Sequence, residues 1–132
     1  MTLRRVRVVA AFVERGGSVL LTRRHDKGER AGLWEFPGGK VEAGEEEPAA
    51  LIRELQEELG VQVRVGERLG AVAHTYPDVH VDLILYSAEL VPGGPEPLPL
   101  EAAELRWVPR GEMQTLPFCE ADVPLLEQLS RG

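Results

Sequence analysis

Three glutamates, Glu54, Glu57 and Glu58, stand at positions i, i+3 and i+4 of the stretch GKVEAGEEEPAALIRELQEELGV, Gly39 to Val61. On a helix that spacing places three carboxylates on one flank. Like charges so placed oppose helix formation by roughly 0.2–0.5 kcal/mol per pair. A divalent cation among them removes the conflict, because a hard ion such as Mg²⁺ takes oxygen ligands and binds through carboxylates together with substrate phosphates. The plainer alternative is a solvated acidic face with Arg53 as its local partner.

The element that must carry these groups reads as a helix from about Glu46 to Leu59. Leu51, Ile52, Leu55 and Leu59 recur at helical spacing as an apolar stripe. Pro48 falls in the first turn, where a missing N–H costs little. Gly60 is placed to end the helix in a left-handed conformation.

Gly39, Glu45, Arg53, Glu54, Leu55, Glu57, Glu58, Gly60 and Val61 match every fixed position of the Nudix box. The chain therefore resembles the Nudix hydrolases, which cleave nucleoside diphosphates linked to another moiety. The resemblance implies a loop–helix–loop in which Glu54, Glu57 and Glu58 bind Mg²⁺ or Mn²⁺, with a structural ion-pair role for Arg53 and Glu45. It also implies a metal ligand at the carbonyl of Gly38. The run WEFPGGK, residues 34–40, resembles the MutT-type nucleoside triphosphate pyrophosphohydrolases more than other branches. That pattern implies that Glu101 reaches the metal site from a separate loop, with Glu104 as its competitor. It further implies that Asp122, in LPFCEADVPLLEQL, reads the base; a helix N-cap is the plainer role for an aspartate there. Val79 departs from the branch, some of whose members carry Arg at that position.

A chain of 132 residues is expected to form one domain, spanning 1–132. Its formal net charge of −7 argues against a nucleic-acid partner, which calls for a basic face. A phosphate substrate remains compatible if cations bridge it to the carboxylates. No stretch approaches the ~20 apolar residues of a membrane span. The N-terminal run alternates like a strand and is interrupted by Arg7 and Glu14, unlike a signal peptide. Cys119 is the single cysteine, which fits a reducing cytoplasm, and it reads as a packing residue. Monomer and homodimer are both compatible.

Residues 4–13 are apolar on both faces and read as an interior strand, followed by a Gly16-Gly17 turn and a return strand from Ser18 to Arg24. Residues 25–32 form a polar loop, and Arg23 and Arg24 beside it are candidates for contacting the nucleotide. Phe36 and Trp34 read either as core or as base-stacking groups. Val61–Val65, Leu69–Thr75 and residues 79–90 read as strands, with Tyr76-Pro77-Asp78 as a turn whose Asp78 joins the substrate-binding candidates. His74 and His80 read as surface or packing residues. The Pro- and Gly-rich segment 91–104 is a functional loop or a floppy one, and Leu105–Val108 is a strand with Trp107 buried. The last element, about Asp122 to Leu129, is a helix whose inward stripe is Leu125, Leu126 and Leu129.

The expected fold is a Nudix α/β/α sandwich, with a central mixed sheet between the metal helix and the C-terminal helix. The expected activity is Mg²⁺-dependent hydrolysis of a nucleoside triphosphate, of oxidised guanine or cytidine type, to the monophosphate and pyrophosphate. Glu57 or Glu101, or neither, takes the proton of the attacking water. The alternatives are hydrolysis of ADP-ribose, to which Pro77 points, or of dinucleoside polyphosphates. From another class, a nucleotide-sensing module without turnover would show a degraded carboxylate set, and this set is complete.

Overall fold

Apolar residues on both faces suit β1 (Arg5–Arg15) to its place as an interior strand of the sheet, between β2 and β6. The computed structural model describes residues 3–130, so the ends of the expected 1–132 range lie outside the described residues. β1 runs parallel to β6 (His80–Leu90), from Arg5 opposite His80 to Val13 opposite Ala88. On its other edge it meets β4 (Gly38–Lys40) at Val8–Ala10 and β2 (Ser18–Arg23) at Glu14–Arg15, both antiparallel. The β1–β2 turn is Gly16-Gly17 with φ of 58° and 80°, the paired positive values that a tight hairpin turn needs. β5 (Val63–Thr75) lies antiparallel to β6, with register shifts between Val65 and Gly70. β3 (Trp34–Glu35) and β7 (Glu104–Pro109) flank β2. The arrangement is the mixed sheet expected.

Each face of β1 feeds its own core. Val9, Ala11 and Val13 pack with Leu51, Leu55 and Leu59 of α1 (Glu47–Leu59). Ala10 and Phe12 pack with Phe36, Leu83, Leu85 and Leu125, the last from α2 (Val123–Ser130). The two helices thus cover opposite faces, as in the expected sandwich. Pro48 sits in the first turn of α1, and Gly60 closes it at φ 69° with its N–H on the Gln56 carbonyl.

Two burial expectations need correction. Ile52 is 43% exposed, and Ala50 is buried in its stead. Ala50 lies on the flank of Glu54 and Glu58, and Ile52 on the opposite edge of the stripe. The helix is rolled toward its carboxylates. Burying the three leucines is worth ~1.5–3 kcal/mol each, an order of magnitude more than the charge repulsion along the flank. The roll turns Glu54 and Glu58 toward the sheet without loss of that core. Trp107 is only half-buried, with the Arg15 guanidinium 4.2 Å from its ring centroid; on β7, at the edge of the assembly, only one of its faces is covered.

The segment before β7 is tied down. The Leu98 and Leu100 N–H groups, each at 3.0 Å, bond to the Leu59 and Glu58 carbonyls. These are orphan acceptors at a helix end, and the loop satisfies them. Glu101, the next residue, is thereby held near the C-terminal end of α1.

Candidate active site

Arg53 organises the acidic end of the site. Its Nε and Nη2 donate to the two Glu45 carboxylate oxygens at 2.7 and 2.9 Å, and Nη2 also to the Lys40 carbonyl at 3.0 Å. Nη1 reaches Glu54 at 3.0 Å and Glu57 at 3.2 Å. Glu45 in addition accepts the Glu42 N–H at 3.0 Å, and these bonds hold its pKa down to about 2. The loop from Lys40 to Glu46 is therefore clamped onto α1 through one guanidinium, a fork that matches carboxylate geometry.

The β4 glycines are where the helix and sheet meet. A Cβ on Gly39 would fall within the Glu54 carboxylate, and one on Gly38 would fall on the Val9 carbonyl, 2.7 Å from the Ala10 Cα. Only glycine lets the main chain approach this closely. Glu54 is pushed above its usual pKa, chiefly by burial. Glu58 is pushed up to about 8 by burial and by the neighbouring carboxylates Glu35, Glu54 and Glu101. Four acids from three separate segments thus share one electrostatic neighbourhood. Glu104 is held elsewhere, between Arg23 at 3.1 Å and Arg106 at 2.8 Å. Among the described residues no three acidic, histidine or cysteine side chains are drawn together at metal-ligand spacing. Arg53 spans Glu54 and Glu57 instead. The donor set is nevertheless all oxygen, and a hard cation bound there would offset both the burial and the neighbouring charges that raise Glu58.

Beside the β4 glycines opens a cleft of about 460 Å³, lined by Arg24, Arg30, Phe36, Tyr76, Asp78 and Asp122 among others. Phe36 is 2% exposed and tilts against Phe12 and Phe118, so it is a core ring that also borders the cleft. Asp122 is buried, and its Oδ2 accepts the Phe36 N–H at 3.1 Å. Its carboxyl thus bonds across the fold to the β3–β4 connection rather than serving simply as a cap. Burial, and then the charge of Glu35, raise its pKa well above the usual carboxylate range. Arg24 lines the cleft, with Nη1 3.5 Å from Glu35 and Nε donating to the Glu29 carbonyl at 3.1 Å. Arg23 points away and is engaged by Asp26 at 2.7 Å and by Glu104. Asp78 faces the cleft with its carboxylate on Arg30, at 3.0 and 3.4 Å.

Two participants escaped sequence reasoning. Glu35 was visible within WEFPGGK as a charge between two aromatic residues, and that oddity was its signal. Burial raises its pKa against the pull of Arg24. Arg30 had no local signal, since its partners lie 46 and 48 residues away. The histidines bind no cluster: His74 contacts Glu120 at 3.1 Å and the edge of Tyr76, and His80 contacts Thr75 at 2.8 Å. The Cys119 thiol is buried, which raises its pKa and leaves it inert. A second hollow of about 730 Å³, between β5, β6 and α2, holds none of the expected site residues.

A mixed sheet between two helices, with an arginine-clamped acidic helix beside a nucleotide-sized cleft, is the layout of a phosphoric-anhydride hydrolase. A model of the NUDIX domain matches residues 8–128. The chain is 42% identical to an Escherichia coli CTP pyrophosphohydrolase, over 95% of this chain and 91% of that one. It is 40% identical to a putative 8-oxo-dGTP diphosphatase 2 of Mycobacterium tuberculosis, over 94% and 87% of the two chains. A MutT NUDIX hydrolase structure from Burkholderia pseudomallei superposes with a TM-score of 0.84 at 29% identity, covering 96% and 98%. The chain therefore belongs to the Nudix hydrolase family, as the residues between Gly39 and Val61 implied.

Proposed function

We propose that the chain is a divalent-metal-dependent nucleoside triphosphate pyrophosphohydrolase that releases the monophosphate and pyrophosphate from cytosine or guanine nucleotides, oxidised guanine included. The observation that carries this reading is the neighbourhood that Glu58 shares with Glu35, Glu54 and Glu101, where burial first and then those carboxylates lift it to about 8, while Glu35, Gly38 and Gly39 also line the cleft. Glu54, Glu57, Glu58, Glu101 and the Gly38 carbonyl are the groups that would hold the metal. Bound there, Mg²⁺ or Mn²⁺ supplies Lewis-acid polarisation of phosphoryl oxygens and a lower pKa for the attacking water. Glu57, which pairs with Arg53 at 3.2 Å, and Glu101 are the two carboxylates proposed to take the water's proton. Arg24 offers a cation to the phosphates. Phe36 and Asp122 bound the base end of the cleft. The relatives named for CTP and 8-oxo-dGTP support this base choice. Among the described residues no helix is long and apolar enough to cross a membrane. The proposed setting is the cytoplasm, with a small nucleotide rather than nucleic acid as partner.

The test is a nucleotide screen with Mg²⁺, with products separated by chromatography. Monophosphate and pyrophosphate from a triphosphate are expected. A diphosphate with inorganic phosphate would refute cleavage between the α and β phosphorus atoms, and preference for ADP-ribose over every triphosphate would refute the substrate class.

A further inference from the structure

Arg30 is the one non-glycine residue with positive φ among the described residues, at 58°. A long side chain rarely accepts that backbone, and such strain persists where surrounding contacts over-determine it. Here they do. The guanidinium lies 4.1 Å from the Tyr76 ring centroid, and two of its nitrogens face the Asp78 carboxylate. Its side chain is only 19% exposed, yet it lines the cleft, where its charge is felt by Glu35 and Cys119. A guanidinium has five N–H donors, and Asp78 takes two. The same tyrosine fixes the opposite wall. The Tyr76 hydroxyl accepts the Ala121 N–H at 2.9 Å, one residue before Asp122. One ring therefore sets the placement of both Arg30, a donor, and Asp122, a carboxyl.

We propose that Arg30 is a specificity-determining residue of the nucleotide cleft, donating to a ring carbonyl of the base while Asp122 faces the exocyclic amine. The inference rests on the nucleotide reading above. A base must then carry both a carbonyl and an amine. Cytosine and guanine do; uracil lacks the amine and adenine lacks the carbonyl. Asp78 is a positioning residue that acts through Arg30.

The experiment measures kcat and KM for CTP, GTP, UTP and ATP with the wild type, Arg30→Asn and Arg30→Lys. Asparagine tolerates the left-handed backbone and removes the guanidinium. In Arg30→Asn, kcat/KM for CTP and GTP should fall about ten- to a hundredfold, the size of one charge-assisted hydrogen bond. The loss should sit in KM, and ATP should change by less than about threefold. Arg30→Lys, which keeps the charge without the fork, should fall between the two. If the asparagine variant does not fold, the lysine variant decides by the same ratio. Equal losses for all four nucleotides, or an unchanged ratio, would overturn the inference. A wild type that cleaves triphosphates but prefers UTP or ATP overturns it alone. A wild type that cleaves no triphosphate overturns the proposed function and this inference with it.

Discussion

Replacing Glu58 with glutamine should stabilise the metal-free protein while disabling it. In the fold Glu58 titrates at about 8, against an ordinary 4.5, because it is desolvated beside Glu35, Glu54 and Glu101. The folded state therefore holds a proton that the unfolded chain gives up at lower pH. Where the folded state binds more protons, stability falls as pH rises. The fall begins near the ordinary value and is complete above about 8. Its ceiling is ~5 kcal/mol at 1.36 kcal/mol per pH unit, and ~2–4 kcal/mol is the working figure once water penetration and shared protons are allowed for. Urea unfolding of chelator-treated protein between about pH 5 and 8 reads it directly. Wild type should lose stability across that window, and Glu58→Gln should lose much less. Glu35 and Asp122 lean the same way, so the slope shrinks rather than vanishes. Adding Mg²⁺ should restore the wild type, because a ligand that binds only the folded state stabilises it. A wild-type stability that is flat or rises with pH, or a glutamine variant with an unchanged slope, would refute the reasoning.

Glu57→Gln and Glu58→Gln should each lower turnover about 10²–10³-fold with the fold intact, as expected for loss of a ~3–4 kcal/mol transition-state contact; near-normal rates at saturating Mg²⁺ would sink the metal assignment. Arg53→Lys should cost roughly 1–3 kcal/mol in unfolding experiments, since an ammonium cannot serve Glu45 and the Lys40 carbonyl at once; an unchanged midpoint would mean the clamp is idle. Asp122→Asn should keep or raise stability near neutral pH, because an amide oxygen can still accept the Phe36 N–H and the acid at this position is gone. Its ratio of kcat/KM between CTP, GTP and UTP should change; a constant ratio would remove Asp122 from base recognition.

What the sequence disclosed follows from the range of the interactions involved. The helix from Glu47 to Leu59 was legible almost residue by residue, because capping, periodicity and charge spacing are local. The roll that buries Ala50 and exposes Ile52 was not, since it depends on how closely Gly39 lets the helix approach the sheet. Strands were legible from alternation, but the parallel pairing of β1 with β6 joins residues some 75 positions apart and leaves no local mark. In the site, Glu101 was separable from Glu104 only once Arg23 and Arg106 were seen to hold the latter. Arg23 and Arg24 are adjacent at the end of β2, yet sequence alone could not say which of the two lines the cleft. Arg30 became visible only through Tyr76 and Asp78.

The β1–β6 pairing and the bond from Asp122 to Phe36 also bear on the order in which the molecule comes into being. A ribosome releases the loop and acidic helix after β1 to β4 but before β5, β6 and β7, so its repelling glutamates emerge while the sheet is incomplete. β1 must wait for its parallel neighbour, and β2 for β7, whose strands begin at His80 and Glu104. The base end waits longer still, for Asp122 to reach the Phe36 N–H. Pairings this distant make for slow folding, and exposed strand edges during the wait invite association with other chains. The helix that announces the chemistry is thus synthesised before β5, β6 and β7, and its site is complete only when nearly the whole chain has been made.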